Sequence, residues 1–381
     1  VTDAVVVGRI LHEYRLSEVY MRRRYGSVSD TRVGYEFREP DGSAILVRAY
    51  RGDMPLPEHL QGSGTASVTD WLQGHAATLR WLSARGYPAP RVVPTRTGEP
   101  VGIESTWLTL AARFVPGRPL TRGGGQLGLL GAALGRLHAL PVPVEDPRPG
   151  FVPGPGGEPE WRGGAGSVPG LASWHPAAAI PAALGKLDAV TALLPGEWRP
   201  LHEQFRATLL AVQRAAPGLS PGVVHGDAWP GNAVVMPDGQ AALIDWENGG
   251  LGLPVLDLGH SLLECHVDPG LPTMRPAAWH IRPDPQRIAA VLDGYTRWRH
   301  LDDSEREILP EGIRFGVAYL GAIHFERALI DGVHGPTMDA RLGCLRNRIA
   351  VSQEVADLAA QHLGPPGSRY AEPGNSDVTG A

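Results

Sequence analysis

Val223-Val224-His225-Gly226-Asp227-Ala228-Trp229-Pro230-Gly231-Asn232, followed by an apolar hairpin and then Leu243-Ile244-Asp245-Trp246-Glu247, decides how the 381-residue chain folds. Three polar side chains, Asp227, Asn232 and Asp245, interrupt otherwise apolar strand-like segments. Residues 233–236 and 241–244 read as strands joined by the turn Pro237-Asp238-Gly239. A hairpin returns the chain to the end it left, so Asp245 is expected beside the 227–232 loop. That convergence has a chemical use. A carboxylate and an amide oxygen bind a hard cation such as Mg²⁺, while a second carboxylate takes a proton from an attacking hydroxyl. The arrangement suits phosphoryl transfer. Two other readings of the same residues are open: a plain polar turn with Asp245 capping a strand, or a hydrolytic metal site with His225, Asp227 and Asp245 as ligands.

Upstream of this stretch, apolar residues at helical spacing predict a short helix over 3–15, and β-branched and aromatic runs predict strands over 19–25, 32–37 and 44–50. Glu39-Pro40-Asp41-Gly42 is a tight-turn signal between the last two. A helix over 70–85 and strands over 91–94 and 106–115, joined by a turn at 97–100, complete a first lobe over 1–117. From Gly125 the pattern is helical, with a Gly-spaced segment around Leu127, Leu130, Leu134 and Leu137. Helices are expected over 197–215, 255–266, 285–298, 303–330 and 340–361, giving a second lobe over 118–363. Residues 141–170, with eight prolines and eight glycines, form an irregular excursion, and 364–381 a polar tail. The fold class expected is α+β: a small antiparallel-sheet lobe followed by a larger, mainly helical one.

Composition narrows the function. Thirty-five basic against forty acidic residues leave a formal charge of -5, with no field to attract nucleic acid or a membrane surface. Two distant cysteines, Cys265 and Cys344, make neither a disulfide scaffold nor a zinc knuckle. No apolar run is long enough to span a bilayer, and a soluble cytoplasmic protein, monomer or homodimer, is expected. Lys186 is the only lysine, which removes that residue from most conceivable sites.

The His-x-Asp-x-x-x-x-Asn loop, the hairpin, the hydrophobic-Asp-aromatic segment at Asp245 and the Leu256-Asp257-Leu258-Gly259 run together resemble the aminoglycoside phosphotransferase and choline kinase superfamily. That superfamily shares the bilobal protein-kinase-like fold. The resemblance extends to the hairpins over 18–51, to Phe114-Val115-Pro116-Gly117 as a hinge, and to Leu134-Gly135-Arg136-Leu137-His138 as the helix after it. It implies an ATP- and Mg²⁺-dependent transfer of the γ-phosphoryl to a hydroxyl of a small substrate. Asp227 is then the catalytic base, and Asn232 and Asp245 hold Mg²⁺ against the nucleotide phosphates. His225 and Asp257 brace the loop, and the loop residues Ser27, Ser29 and Thr31 cover the phosphates.

Two positions depart from that superfamily. Arg48 stands where its third strand carries a lysine, and His75 where the next helix carries that lysine's glutamate partner. Asp70, just over one turn earlier, is the nearest acidic residue to take the glutamate's place. Acceptor contacts are expected from Trp246, Glu247, Glu264, His266, His324, Glu326 and Arg327, with Trp279, Tyr295 and Trp298 as aromatic candidates. The acceptor is an aminoglycoside or other antibiotic, an amino alcohol, a hydroxy amino acid or a biosynthetic intermediate. Rival functions are a non-catalytic kinase-like binding protein, and the same scaffold using GTP or catalysing another group transfer.

Overall fold

The computed structural model describes residues 3–25, 31–56, 67–104, 106–121, 125–142, 150–153, 159–162, 180–267, 282–333 and 336–364. Ser27, Ser29 and Trp279 lie outside these residues, as do most of 141–170 and all of the tail beyond 364.

After helix α1 (Asp3–Glu13), strands β1 (Tyr20–Tyr25), β2 (Arg32–Arg38) and β3 (Ala44–Arg51) form an antiparallel meander. Helix α2 (Val68–Ala84) follows, capped by the Ser67 hydroxyl, which accepts the Asp70 N–H. Then come β4 (Arg91–Val93), β5 (Val101–Glu104) and β6 (Trp107–Arg113). Strand β6 pairs with β3 and also takes up β4 and β5. The β5 strand was not expected from the sequence; its four residues are too few for a periodic signal. Along β3 the pleat alternates. Ile45, Val47 and Ala49 are buried with Val6 and Ile10 of α1, which leaves Leu46, Arg48 and Tyr50 on the opposite face. That face looks toward the second half of the chain.

The second half starts with β7 (Arg118–Pro119), α3 (Gln126–His138), the ribbon β8 (Gly150–Pro153) and β9 (Pro159–Arg162), and helices α4 (Ile180–Val190) and α5 (Arg199–Ala215). The strands β10 (Gly222–Val224), β11 (Ala233–Val235), β12 (Ala241–Leu243) and β13 (Gly250–Gly252) follow, then α6 (Pro254–Glu264), α7 (Pro285–Thr296), α8 (Asp303–Leu329) and α9 (Pro336–Leu363). The sequence reading had neither α4 nor β13. The latter is a Gly-Leu-Gly strand with no pattern of its own, held by pairing with β10.

One large core joins α3 to α9. The glycines of α3 permit close helix approach: a Cβ on Gly131 would stand 2.0 Å from the Val291 carbonyl oxygen of α7. The same device joins α6 to α8, where a Cβ on Gly259 would meet Gly312 backbone atoms at 2.4 Å. Strand β7 pairs with β11. The connection through Phe114 therefore enters the β11–β12 hairpin region directly.

Candidate active site

The loop after β10 is held from behind by Asp257 in the first turn of α6. Its Oδ2 accepts the His225 N–H at 2.6 Å and its Oδ1 the Gly226 N–H at 3.1 Å. His138 on α3 donates to the same carboxylate at 3.2 Å and is itself bonded to the Tyr295 hydroxyl at 3.0 Å. Burial works against a charged Asp257. The His138 bond and its neighbours outweigh that and hold its carboxyl below the usual carboxylate range.

Two bonds fix the His225 tautomer. Nε2–H donates to the Ile244 carbonyl at 2.8 Å, so Nδ1 is free to accept the Asp227 N–H at 3.3 Å. His225 thus ties the loop to the far end of the hairpin, while the Ile244 N–H returns to the Asn232 carbonyl at 2.8 Å. The convergence of 227–232 with 245 expected from the hairpin is present.

Within the loop, the Asn232 amide donates to Asp227 twice, to Oδ2 at 2.7 Å and to the backbone carbonyl at 2.9 Å. Both bonds use Nδ2, so Oδ1 is the end of the amide not committed to Asp227. Asp245 sits at φ +65°, a strained conformation for a non-glycine residue.

Across the cleft, Arg48 reaches from β3 with both arms. Nη2 lies 2.7 Å from Asp245 Oδ1 and Nη1 lies 2.7 Å from Glu247 Oε1. Burial pushes the Asp245 carboxyl up, and the charge and hydrogen bond of Arg48 push it down further, leaving it below its ordinary value. Glu247 Oε1 also receives Arg32 at 2.9 Å and the Tyr50 hydroxyl at 2.8 Å, and the Trp71 indole donates to the Glu247 carbonyl at 3.1 Å. The carboxylate that partners Arg48 therefore comes from the segment after the hairpin. Asp70 does not take that part; its carboxylate is bonded to Ser67 at the cap of α2. His75 is buried beside Arg48 with Nδ1 unpartnered. Burial first, and the Arg48 charge next, lower its pKa to about 3, so it is neutral.

The loop separates two cavities. One, of about 250 Å³, is walled by Leu46, Arg48, His75, Ala112 and Phe114 on one side and by Asn232, Ile244 and Asp245 on the other. The second, also about 250 Å³, lies between α6 and α8 and opens on Asp227. Here stands a residue the sequence reading missed. His260 Nε2 is 3.1 Å from Asp227 Oδ1. Burial lowers its affinity for a proton, but the Asp227 bond and charge outweigh this and raise its pKa. The signal was present in Asp257, His260, Ser261 and Glu264, a polar stripe at helical spacing on an otherwise apolar helix.

A model of the phosphotransferase enzyme family matches residues 67–301. The chain belongs to that phosphotransferase family. No curated protein sequence matches it. Among solved structures, this phosphotransferase is similar to amicoumacin kinase hAmiN in complex with AMP-PNP, Ca²⁺ and Ami (19% identity, TM-score 0.58, 94% of each chain covered). It is also similar to an aminoglycoside phosphotransferase from Alicyclobacillus acidocaldarius (16%, TM-score 0.55, covering 90% of this chain and 92% of that one). A third similar structure is choline kinase from Cryptosporidium parvum (12%, TM-score 0.56, covering 93% and 97%). These likenesses establish the bilobal kinase-like fold.

The other residues expected to touch an acceptor are placed variously in the phosphotransferase. Trp246 is buried against His225 and Tyr87, with its indole N–H donated to the Leu243 carbonyl. Glu264 pairs with Arg348 through both oxygens, at 2.8 and 3.1 Å, at the edge of the second cavity. His266 is buried and accepts the Asp284 N–H at 3.0 Å. His324 lines an outer extension of that cavity of about 370 Å³, together with Arg341. Glu326 is engaged with Lys186 of α4, and neither it nor Arg327 is among the residues lining the two cavities beside the loop or the outer extension. Tyr295 is a core residue and Trp298 stands on the surface under Arg136. The Thr31 carbonyl accepts the Arg51 N–H at 2.9 Å at the end of the sheet. Among the described residues no helix is long and apolar enough to cross a membrane.

Proposed function

We propose that the chain is an ATP- and Mg²⁺-dependent small-molecule kinase that moves the γ-phosphoryl of ATP to a substrate hydroxyl. One observation carries the reading: the 225–232 loop is a wall between two cavities, with Asn232 and Asp245 facing one and Asp227 facing the other. A nucleotide in the first and an alcohol in the second meet across Asp227, the relationship direct in-line transfer needs.

The residues fit a hard cation. Asn232 Oδ1 and the Asp245 carboxylate are oxygen donors on one cavity wall, and Asp245 is held ionised. Bound there, Mg²⁺ would supply charge neutralisation for the nucleotide phosphates. Arg48, on the facing wall of the same cavity, adds a fixed positive charge for the phosphates, in place of the lysine its strand position would otherwise carry. Asp227 orients the acceptor hydroxyl and takes its proton as the oxygen attacks phosphorus and the bond to the ADP oxygen breaks. Asn232 and His260, one on each carboxylate oxygen, hold Asp227 in the orientation this requires.

Transfer from γ-labelled ATP to a panel of hydroxylated acceptors tests the reading. Label appears in an acceptor with the wild-type protein and falls by about 10²–10⁴ in Asp227→Asn, the range general base catalysis supplies. Equal transfer by the two proteins removes Asp227 from that role.

A further inference from the structure

The second cavity also says what kind of alcohol it takes. Resting on the phosphotransfer reading above, we propose that the acceptor is a predominantly apolar alcohol without a cluster of ammonium groups, seated between α6 and α8 with its hydroxyl at Asp227. The walls of the cavity are Leu256 and Leu263 from α6 and Ile313, Val317 and Leu320 from α8. Leu320 is 42% exposed where the inner cavity meets its outer extension, an apolar side chain left open to a site instead of packed into the core.

The charges around these walls point the same way. A polycationic acceptor needs a carboxylate for each ammonium it buries. Three carboxylates line the inner cavity among the described residues, and all have partners. Asp227 is held by Asn232 and His260, Asp257 by His138 and two backbone N–H groups, and Glu264 by both arms of Arg348. The outer extension adds Arg341, two helical turns before Arg348 on the same face of α9. His324 stands there too; burial, with the charges of Arg341 and Arg327, holds its pKa down to about 4. Neutral His324 adds no charge, and the carboxylates lining the mouth among the described residues, Asp227 and Glu264, are the two already partnered, so the mouth has none to offer an ammonium. Inside, the buried Asn248 Oδ1 has no partner and is an acceptor for a second hydroxyl of the same molecule.

Saturation-transfer NMR on the full chain tests this without turnover, with phenylbutanol and hydroxydodecanoate as apolar probes and kanamycin as the polycationic one. Both apolar probes are expected to bind, kanamycin to give no signal and displace neither, and Leu320→Glu to abolish their signals. Leu320→Ser, expected to reduce them, serves if the charged variant does not fold. Kanamycin binding in place of the apolar probes, failure of both apolar probes, or signals unchanged in the Leu320 variants would overturn the proposal. Calorimetry of ATP with Mg²⁺ on the same samples separates the two readings. Apolar binding without nucleotide binding removes the phosphotransfer reading and keeps the pocket's chemistry; nucleotide binding with kanamycin in the cavity does the reverse.

Discussion

Arg48 Nη2 stands 2.7 Å from Asp245 Oδ1 while Nη1 of the same guanidinium stands 2.7 Å from Glu247 Oε1. One planar fork thereby ties the sheet to both acidic residues of the segment after the hairpin. A lysine is a point charge without the planar fork, so it cannot give each carboxylate its own arm as Arg48 does. Arg48→Lys, though it keeps the charge, is therefore expected to weaken ATP binding about tenfold, roughly 1.4 kcal/mol. Calorimetric titration of the variant measures this; unchanged or tighter binding would mean that the fork is not used.

Glu247 collects Arg48, Arg32 and Tyr50 on one oxygen. In Glu247→Gln three donors face a neutral oxygen, and the amide brings donors of its own into a donor-rich site. The expected loss is about 1.5–3 kcal/mol of folding stability, the range for hydrogen bonds to a charged group. Urea denaturation of variant and wild type checks it. Glu247→Ala is expected to lose more, since two arginines are then left facing each other.

His260 and His75 give stability opposite pH dependences. His260 is raised in the folded chain, so its contribution is complete below the ordinary histidine value of about 6.5 and is lost as pH rises through the raised one. His75, lowered to about 3, stays neutral when folded, whereas the unfolded chain takes up the proton; its contribution is complete above about 6.5 and is lost as pH falls toward 3. Buried His138 and His266 and half-buried His324 act in the same sense as His75. Denaturation midpoints measured across pH should decline on both sides of neutrality. His260→Gln should flatten the alkaline limb and His75→Gln should make the acid limb shallower.

Gly259 sets the distance between α6 and α8, the two helices that wall the second cavity. Gly259→Ala forces a methyl to within 2.4 Å of Gly312 backbone, which cannot be relieved by a side-chain rotation. A loss of about 1–3 kcal/mol is expected from overpacking, with a larger effect on acceptor KM than on ATP KM. Steady-state kinetics varying each substrate separately would show the asymmetry. Equal changes in both constants would mean that the crossing does not shape the acceptor side.

Much of this arrangement was legible in the sequence because it is local. The loop, hairpin and returning Asp245 lie within 227–245, and turn chemistry alone brings them together; the long helices announce themselves by apolar spacing. What escaped was long-range or patternless. Arg48 and Asp245 are 197 positions apart, and no period in either segment says that a β3 arginine will take its partner from the segment that includes Glu247. In the sequence Glu247 reads as an acceptor contact because it follows the metal-binding candidate; its bonds to Arg48, Arg32 and Tyr50 come only with the fold. Strands β5 and β13 are too short to carry a period, and each exists because a neighbour offers a free edge.

The most direct measurement is calorimetric titration of ATP, with and without Mg²⁺, into the wild type, Asp227→Asn and Asp245→Ala. The account predicts Mg²⁺-dependent binding in the wild type, nearly unchanged in Asp227→Asn and lost in Asp245→Ala. Binding that ignores Mg²⁺, or that survives intact in Asp245→Ala, would contradict the assignment of the Asn232 and Asp245 wall to the metal and nucleotide.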